Sequence, residues 1–152
     1  MTTTVKANAA ILSHAVQTFK AAFDKVKDTK NLLYSLTFEP IPLSMIKASN
    51  AKGENAMGLK PSDGPLVVIL LYTAWDDAAD TEKIFTVNKE ALKTIEAEAK
   101  SKGVASPYRY LNYAFEQQAP YSKEAMQKLR ATSQKYDPEG FFRDTVAGPI
   151  QL

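Results

Sequence analysis

The sequence predicts an α+β domain of the ferredoxin-like split βαβ kind: an antiparallel sheet with its helices on one face. Three observations carry this. Apolar residues recur at three- and four-residue steps over 11–26 and again over 84–95, the spacing of amphipathic helices. Between and around these segments lie runs that alternate like strands or are apolar throughout. Their order reads strand, helix, strand, strand, helix, strand, followed by a last helix: β-α-β-β-α-β plus a C-terminal helix.

Taken in order, Thr2–Lys6 (TTTVK) is β-prone. Asn8 stands where an N-cap is preferred, and Ile11, Leu12, Ala15, Val16, Phe19, Ala22, Phe23 and Val26 form the first helical stripe. His14, the sole histidine, flanks that stripe and cannot build a metal site by itself. In NLLYSLTFEP, Leu32, Tyr34, Leu36 and Phe38 alternate with Leu33, Ser35, Thr37 and Glu39, which predicts a half-buried strand ended by Pro40 and Pro42. A short helical turn near 43–49 and a glycine-containing loop follow. Pro65–Trp75 (PLVVILLYTAW) is apolar on both alternations, as in a strand covered on both faces. The next helix is capped by Asp80 or Thr81, carries Ile84, Val87, Ala91, Leu92 and Ile95, and stops at Gly103. YRYLNYA reads as the fourth strand, and the last helix runs from a Ser122 cap to Asp137-Pro138.

Composition narrows the function classes. At 152 residues the chain is expected to be one domain, 1–152, with 45% hydrophobic and 24% charged residues. Nineteen basic and 17 acidic side chains give a net charge of +2, without the basic face a nucleic-acid partner needs. There is no cysteine, which removes disulfides, thiolate catalysis, zinc–thiolate sites and a flavin tethered through sulfur. The first residues have no signal-peptide pattern, and the longest apolar run, 65–72, is too short to span a bilayer. The expectation is a soluble cytoplasmic protein with no membrane partner.

With both long helices on one face of the sheet, the other must be covered by something. Alternation assigns Leu33, Ser35, Thr37 and Glu39 to that open face. The third strand offers two sets; Val67, Ile69, Leu71, Thr73 and Trp75 are placed on the open face, and a one-residue slip would invert the assignment. In the fourth strand Tyr108, Tyr110 and Asn112 share the open side, opposite Leu111 and Tyr113.

Four segments carry a resemblance: LYSLTFEPIP (33–42), GENAMGLKPSDGPLVVILL (53–71), YRYLNYAFEQQAPYS (108–122) and KYDPEGFF (135–142). In that order and spacing they resemble the C-terminal part of fungal FAD-linked oxidoreductases of the berberine-bridge-enzyme-like family. The resemblance covers nearly the whole chain. It implies a substrate-binding half whose sheet lies over the flavin ring and the substrate, with tyrosines of the Tyr-x-Asn-Tyr segment binding substrate or acting as bases. Tyr110, Asn112 and Tyr113 hold those places. The family's flavin-binding half and its glycine-rich loop have no counterpart in these residues, so this chain is expected to use no cofactor.

Three functions stay open. The first is a stand-alone binder of a small organic molecule, acting as a cofactor-free isomerase or cyclase in fungal secondary metabolism. Its acid/base groups would be Tyr110, Tyr113 and Glu39, and Asn112, Trp75, Thr73, Ser35 and Thr37 would contact the ligand, with no metal. The second is a non-catalytic interaction protein. The third is a subunit that completes a flavin-dependent oxidoreductase with a separate flavin-binding chain. A homodimer is expected over the open face, burying Leu33, Val67, Ile69, Leu71, Trp75 and Tyr110. The Tyr-Asp-Pro-x-Gly-x-Phe segment is expected to be structural, with Phe141 or Phe142 folded back on the core.

Overall fold

The structure, a computed structural model, describes residues 1–53, 57–115, 121 and 123–146. Its elements are β1 (Thr2–Lys6), α1 (Ala9–Val26), β2 (Leu33–Ile41), α2 (Leu43–Asn50), β3 (Leu66–Ala74), α3 (Thr81–Ser101), β4 (Ala105–Ser106), α4 (Lys123–Tyr136) and α5 (Phe141–Thr145). The four strands form one antiparallel sheet in the order β2-β3-β1-β4. That order, with α1 and α3 as the two crossovers, is the predicted ferredoxin-like arrangement.

Local chemistry sets the boundaries. Asn8 caps α1, its Oδ1 accepting from Ala10 N at 2.9 Å and Ile11 N at 3.2 Å. Gly103, at φ 66, makes the left-handed exit from α3. Asp80 sits at the cap position of α3 but bonds nothing there; Asp77 instead caps the preceding 3₁₀ turn through Ala79 N at 2.9 Å. Ser122, expected to cap α4, lies outside the described residues.

Against α1 and α3 the sheet buries Val5, Val67, Ile69 and Leu71, interleaved with Ile11, Ala15, Ile84 and Ile95. This corrects the assignment of β3. Residues 67, 69, 71, 73 and 75 face the helices, and Leu66, Val68, Leu70 and Tyr72 face the other way. A strand apolar on both alternations gives no pattern by which to choose, and the second face is itself partly covered. There Ile46 of α2, Leu59 and Tyr108 pack on Leu66 and Val68. β2 keeps its predicted polarity, with Tyr34, Leu36 and Phe38 packed toward the helices.

The expected dimer patch therefore does not exist as drawn. Val67, Ile69 and Leu71 are in the core, and Trp75 packs beside them. Among the described residues of the strands, only Leu33 (51% exposed) and Tyr72 (50%) remain as open large apolar groups on the second face.

The fourth strand also differs. Only Ala105 and Ser106 pair with β1, because Pro107 has no N–H to extend the ladder. Tyr110–Tyr113 leaves the sheet as a 3₁₀ turn over Leu111–Tyr113.

In the segment after α4, the Asp137 carboxylate accepts from Phe141 N at 2.8 Å and Phe142 N at 3.0 Å, fixing α5. Gly140 takes φ 72, and a Cβ there would collide with the Arg143 guanidinium. Phe141 and Phe142 are 63% and 64% exposed, contrary to the expected return to the core. Asp137→Ala is therefore expected to cost about 1 kcal/mol in urea unfolding, and Phe142→Ala less than about 0.5 kcal/mol. A reversed order would refute this assignment. No helix among the described residues is long and apolar enough to cross a membrane.

Candidate functional site

The covered half of the second face is where the predicted polar residues meet. β2 lays Ser35, Thr37 and Glu39 along one side, opposite Tyr72, Leu70 and Val68 of β3. The segment after β4 folds over this face, with Tyr108 buried against Leu66 and Val68 and with Tyr110 and Tyr113 packed beside it. Arg109 holds the segment in place. Its Nη2 bonds Glu96 Oε1 of α3 at 2.6 Å, and its Nη1 donates to the carbonyls of Ser106 and Tyr108 at 3.2 Å each.

A strand would put Tyr110 and Tyr113 on opposite sides. The 3₁₀ turn, with its three-residue period, puts them together. Tyr113 N donates to Tyr110 O at 3.0 Å, and the rings meet edge to face with centroids 4.7 Å apart. Tyr113 OH donates to Glu39 Oε1 at 2.6 Å, and Asn112 Nδ2 donates to Tyr110 OH at 3.0 Å. The bond to the Glu39 carboxylate holds the Tyr113 phenol above its ordinary value, because ionising it would place two anions in contact. Burial pushes the Tyr108 phenol up, and its OH reaches Met57 Sδ at 3.4 Å.

The two phenols thus differ in what they can do. Tyr113 spends its proton on Glu39. Tyr110 accepts from Asn112, so its own O–H points its donor capacity elsewhere. Of the predicted residues, Glu39, Tyr110, Asn112 and Tyr113 are linked directly, and Ser35 and Thr37 lie on the same face along β2. Thr73 and Trp75 are on the helix side. Trp75 Nε1 donates to Thr81 Oγ1 at 3.1 Å, and Thr73 Oγ1 accepts from Asn88 at 2.9 Å, so neither faces this site. Sequence reasoning missed Arg109 and also Thr4, whose hydroxyl is buried without a hydrogen-bond partner among the described residues. Thr4 pairs with Val68 and Ser106 on the same face. Among the described residues no group of His, Asp or Glu could hold a metal ion.

Comparison with known proteins finds similarity to fungal enzymes. FAD-dependent monooxygenase tpcD of Cochliobolus heterostrophus is 32% identical over 97% of this chain and 30% of its own length. Oligopeptidase PhomG' of Diaporthe leptostromiformis is 29% identical over 93% of the chain and 12% of its own length. Bifunctional solanapyrone synthase of Alternaria solani is 32% identical over 75% of the chain and 22% of its own length. No family model and no solved structure matches the chain.

The tpcD relative is named as FAD-dependent, and the two strand-to-helix turns among the described residues do not fit a flavin's pyrophosphate. A strand-to-helix turn is the usual cradle. Here the β1–α1 turn has its first helical N–H groups taken by Asn8, and the β3–α3 turn carries Asp76, Asp77 and Asp80, which repel a pyrophosphate. The chain spans at most about a third of these relatives, and over nearly its whole length it is similar to part of fungal FAD-dependent monooxygenases.

Proposed function

We propose that this chain is the substrate-binding part of a fungal secondary-metabolism enzyme, related to the C-terminal region of berberine-bridge-like oxidoreductases, and that it binds a small oxygenated organic molecule at the Tyr110–Tyr113 turn. The observation that carries this is the Glu39–Tyr113 bond beside the Asn112–Tyr110 bond, which gathers a carboxylate, two phenols and an amide on a half-covered apolar floor. The buried hydroxyl of Thr4 adds an unused polar group to that floor.

The chemistry such a set supports is proton transfer. Tyr110 donates to a carbonyl oxygen of the ligand while Glu39 takes a proton from the adjacent carbon and returns it to another, an isomerisation that consumes nothing. Tyr113, held protonated, serves Glu39 as a hydrogen-bond donor rather than as a base.

A second reading is favoured by the relatives' length. The same face would complete a flavin-dependent oxidoreductase whose flavin is held by residues outside this chain, on a separate subunit. In that reading Tyr110, Asn112 and Tyr113 position the substrate for the flavin.

The test is NMR mapping with phenol, acetophenone and cyclohexanone as probes, alongside calorimetric titration with FAD. Shifts concentrated at Glu39, Tyr110, Asn112 and Tyr113 are expected, with no FAD binding by this chain alone. Probes that gather elsewhere would sink the site. Micromolar FAD affinity would sink the exclusion of the flavin from these residues.

A further inference from the structure

β2 is an edge strand, nine residues long and bonded on one side only, to β3. Which of its backbone groups point outward follows from the ladder. Met1 and Leu71 exchange both bonds, Met1 N to Leu71 O at 3.0 Å and Leu71 N to Met1 O at 2.9 Å. Residues 67, 69 and 71 of β3 therefore bond to β1, and residues 66, 68, 70 and 72 bond to β2. By register their β2 partners are Ile41, Glu39, Thr37 and Ser35. The N–H groups of Tyr34, Leu36 and Phe38 then point away from the sheet. Pro40 falls in this same outward set, where a missing N–H costs no bond to β3. No other hydrogen bond engages the Tyr34, Leu36 or Phe38 amides among the described residues.

Edges of this length are normally blunted by charged side chains, prolines, short strands or bulges, and in β2 the proline and the charge, Pro40 and Glu39, sit together at its C-terminal end, leaving Leu33–Phe38 unblunted. β2, LYSLTFEPI, has no lysine or arginine, and its sole charge is Glu39. It is also self-complementary. We propose that β2 pairs antiparallel with β2 of a second copy, about a two-fold axis at Leu36, joining the two sheets into one continuous sheet. Tyr34, Leu36 and Phe38 of each chain donate to Phe38, Leu36 and Tyr34 of the other. On the helix side each Tyr34 faces the partner's Phe38, an aromatic cross-strand pair. Phe23, 39% exposed and with its ring 5.8 Å from Tyr34, flanks this pair. On the second face Ser35 lies opposite the partner's Thr37, and Glu39 opposite the partner's Leu33, so no like charges meet. Leu33, 51% exposed in one chain, is covered by this pairing, and the second copy thereby supplies an apolar wall to the Glu39 end of the site.

The interface rests on the ladder and not on the functional reading, and mass tests it directly. Light scattering at micromolar concentration should give about twice 16.8 kDa. Leu36→Pro removes one outward donor without touching the ladder to β3, and should halve the mass with the circular dichroism unchanged. Leu36→Ala, which keeps the donor, should stay dimeric. A cysteine placed at the axis settles the case if the proline variant fails to fold. The chain has no other cysteine, and Leu36→Cys should cross-link to itself under mild oxidation. A monomeric wild type, a dimer that survives Leu36→Pro, or a Leu36→Cys chain that stays uncross-linked would each overturn the pairing.

Discussion

Asn88→Ala is expected to lower stability by about 3 kcal/mol, the largest effect of any polar substitution in the described structure. Asn88 is 2% exposed on α3 and ties two strands to that helix. Its Oδ1 accepts from Tyr34 OH of β2 at 2.7 Å, and its Nδ2 donates to Thr73 Oγ1 of β3 at 2.9 Å. Truncation removes both bonds at once, strands two hydroxyls in a region with little water, and leaves a void where the amide stood. Tyr34→Phe breaks one bond and leaves one acceptor unpaired, so it should cost about a third as much, roughly 1 kcal/mol. Urea midpoints with unchanged slopes would measure both. Equal costs for the two variants would mean that the network does not act as a bridge.

Raising the pH through 10 to 12 should destabilise the protein by about 1–2 kcal/mol through Tyr34 alone. Burial pushes its phenol up to about 12, beneath the stacked ring of Phe19. In the unfolded chain it titrates near 10. Between those values the folded state keeps a proton that the unfolded state has lost, so stability is full below about pH 10 and falls as pH rises through about 12. Two units correspond to about 2.7 kcal/mol, and partial contact with solvent reduces that. Urea unfolding at successive pH values, in wild type and Tyr34→Phe, isolates the effect, because the other tyrosines are common to both. Parallel pH profiles would contradict it.

The sequence made some of this readable and hid the rest for physical reasons. β2 was legible because its two alternations differ in polarity, and α1 because its stripe begins just after a capping asparagine. β3 was not, since Leu66–Leu71 is apolar on both faces and both faces are covered. The tyrosine turn was half legible. Tyr108, Tyr110 and Asn112 alternate as a strand would, but Pro107 ends the ladder and a 3₁₀ turn follows at Leu111–Tyr113. Glu39 and Tyr113 lie 74 positions apart in sequence, and only the fold brings them to 2.6 Å. Trp75 and Thr73 were misplaced by the same one-residue ambiguity that inverted β3. The apolar patch expected to bring two copies together face to face was an artefact of that inversion.

The bond between Glu39 and Tyr113 is the centre of the account, and the ionisation of one phenol reports on it without any ligand. With tyrosines labelled at Cζ, and with Tyr113 assigned by Tyr113→Phe, NMR titration follows each phenol separately. In the wild type Tyr113 should titrate above its ordinary value, because its proton is held by the Glu39 carboxylate. In Glu39→Gln, which keeps the shape and removes the charge, it should fall back toward the ordinary value while Tyr34 stays where it was. A Tyr113 titration that is the same in both proteins would contradict the pairing, and with it the site.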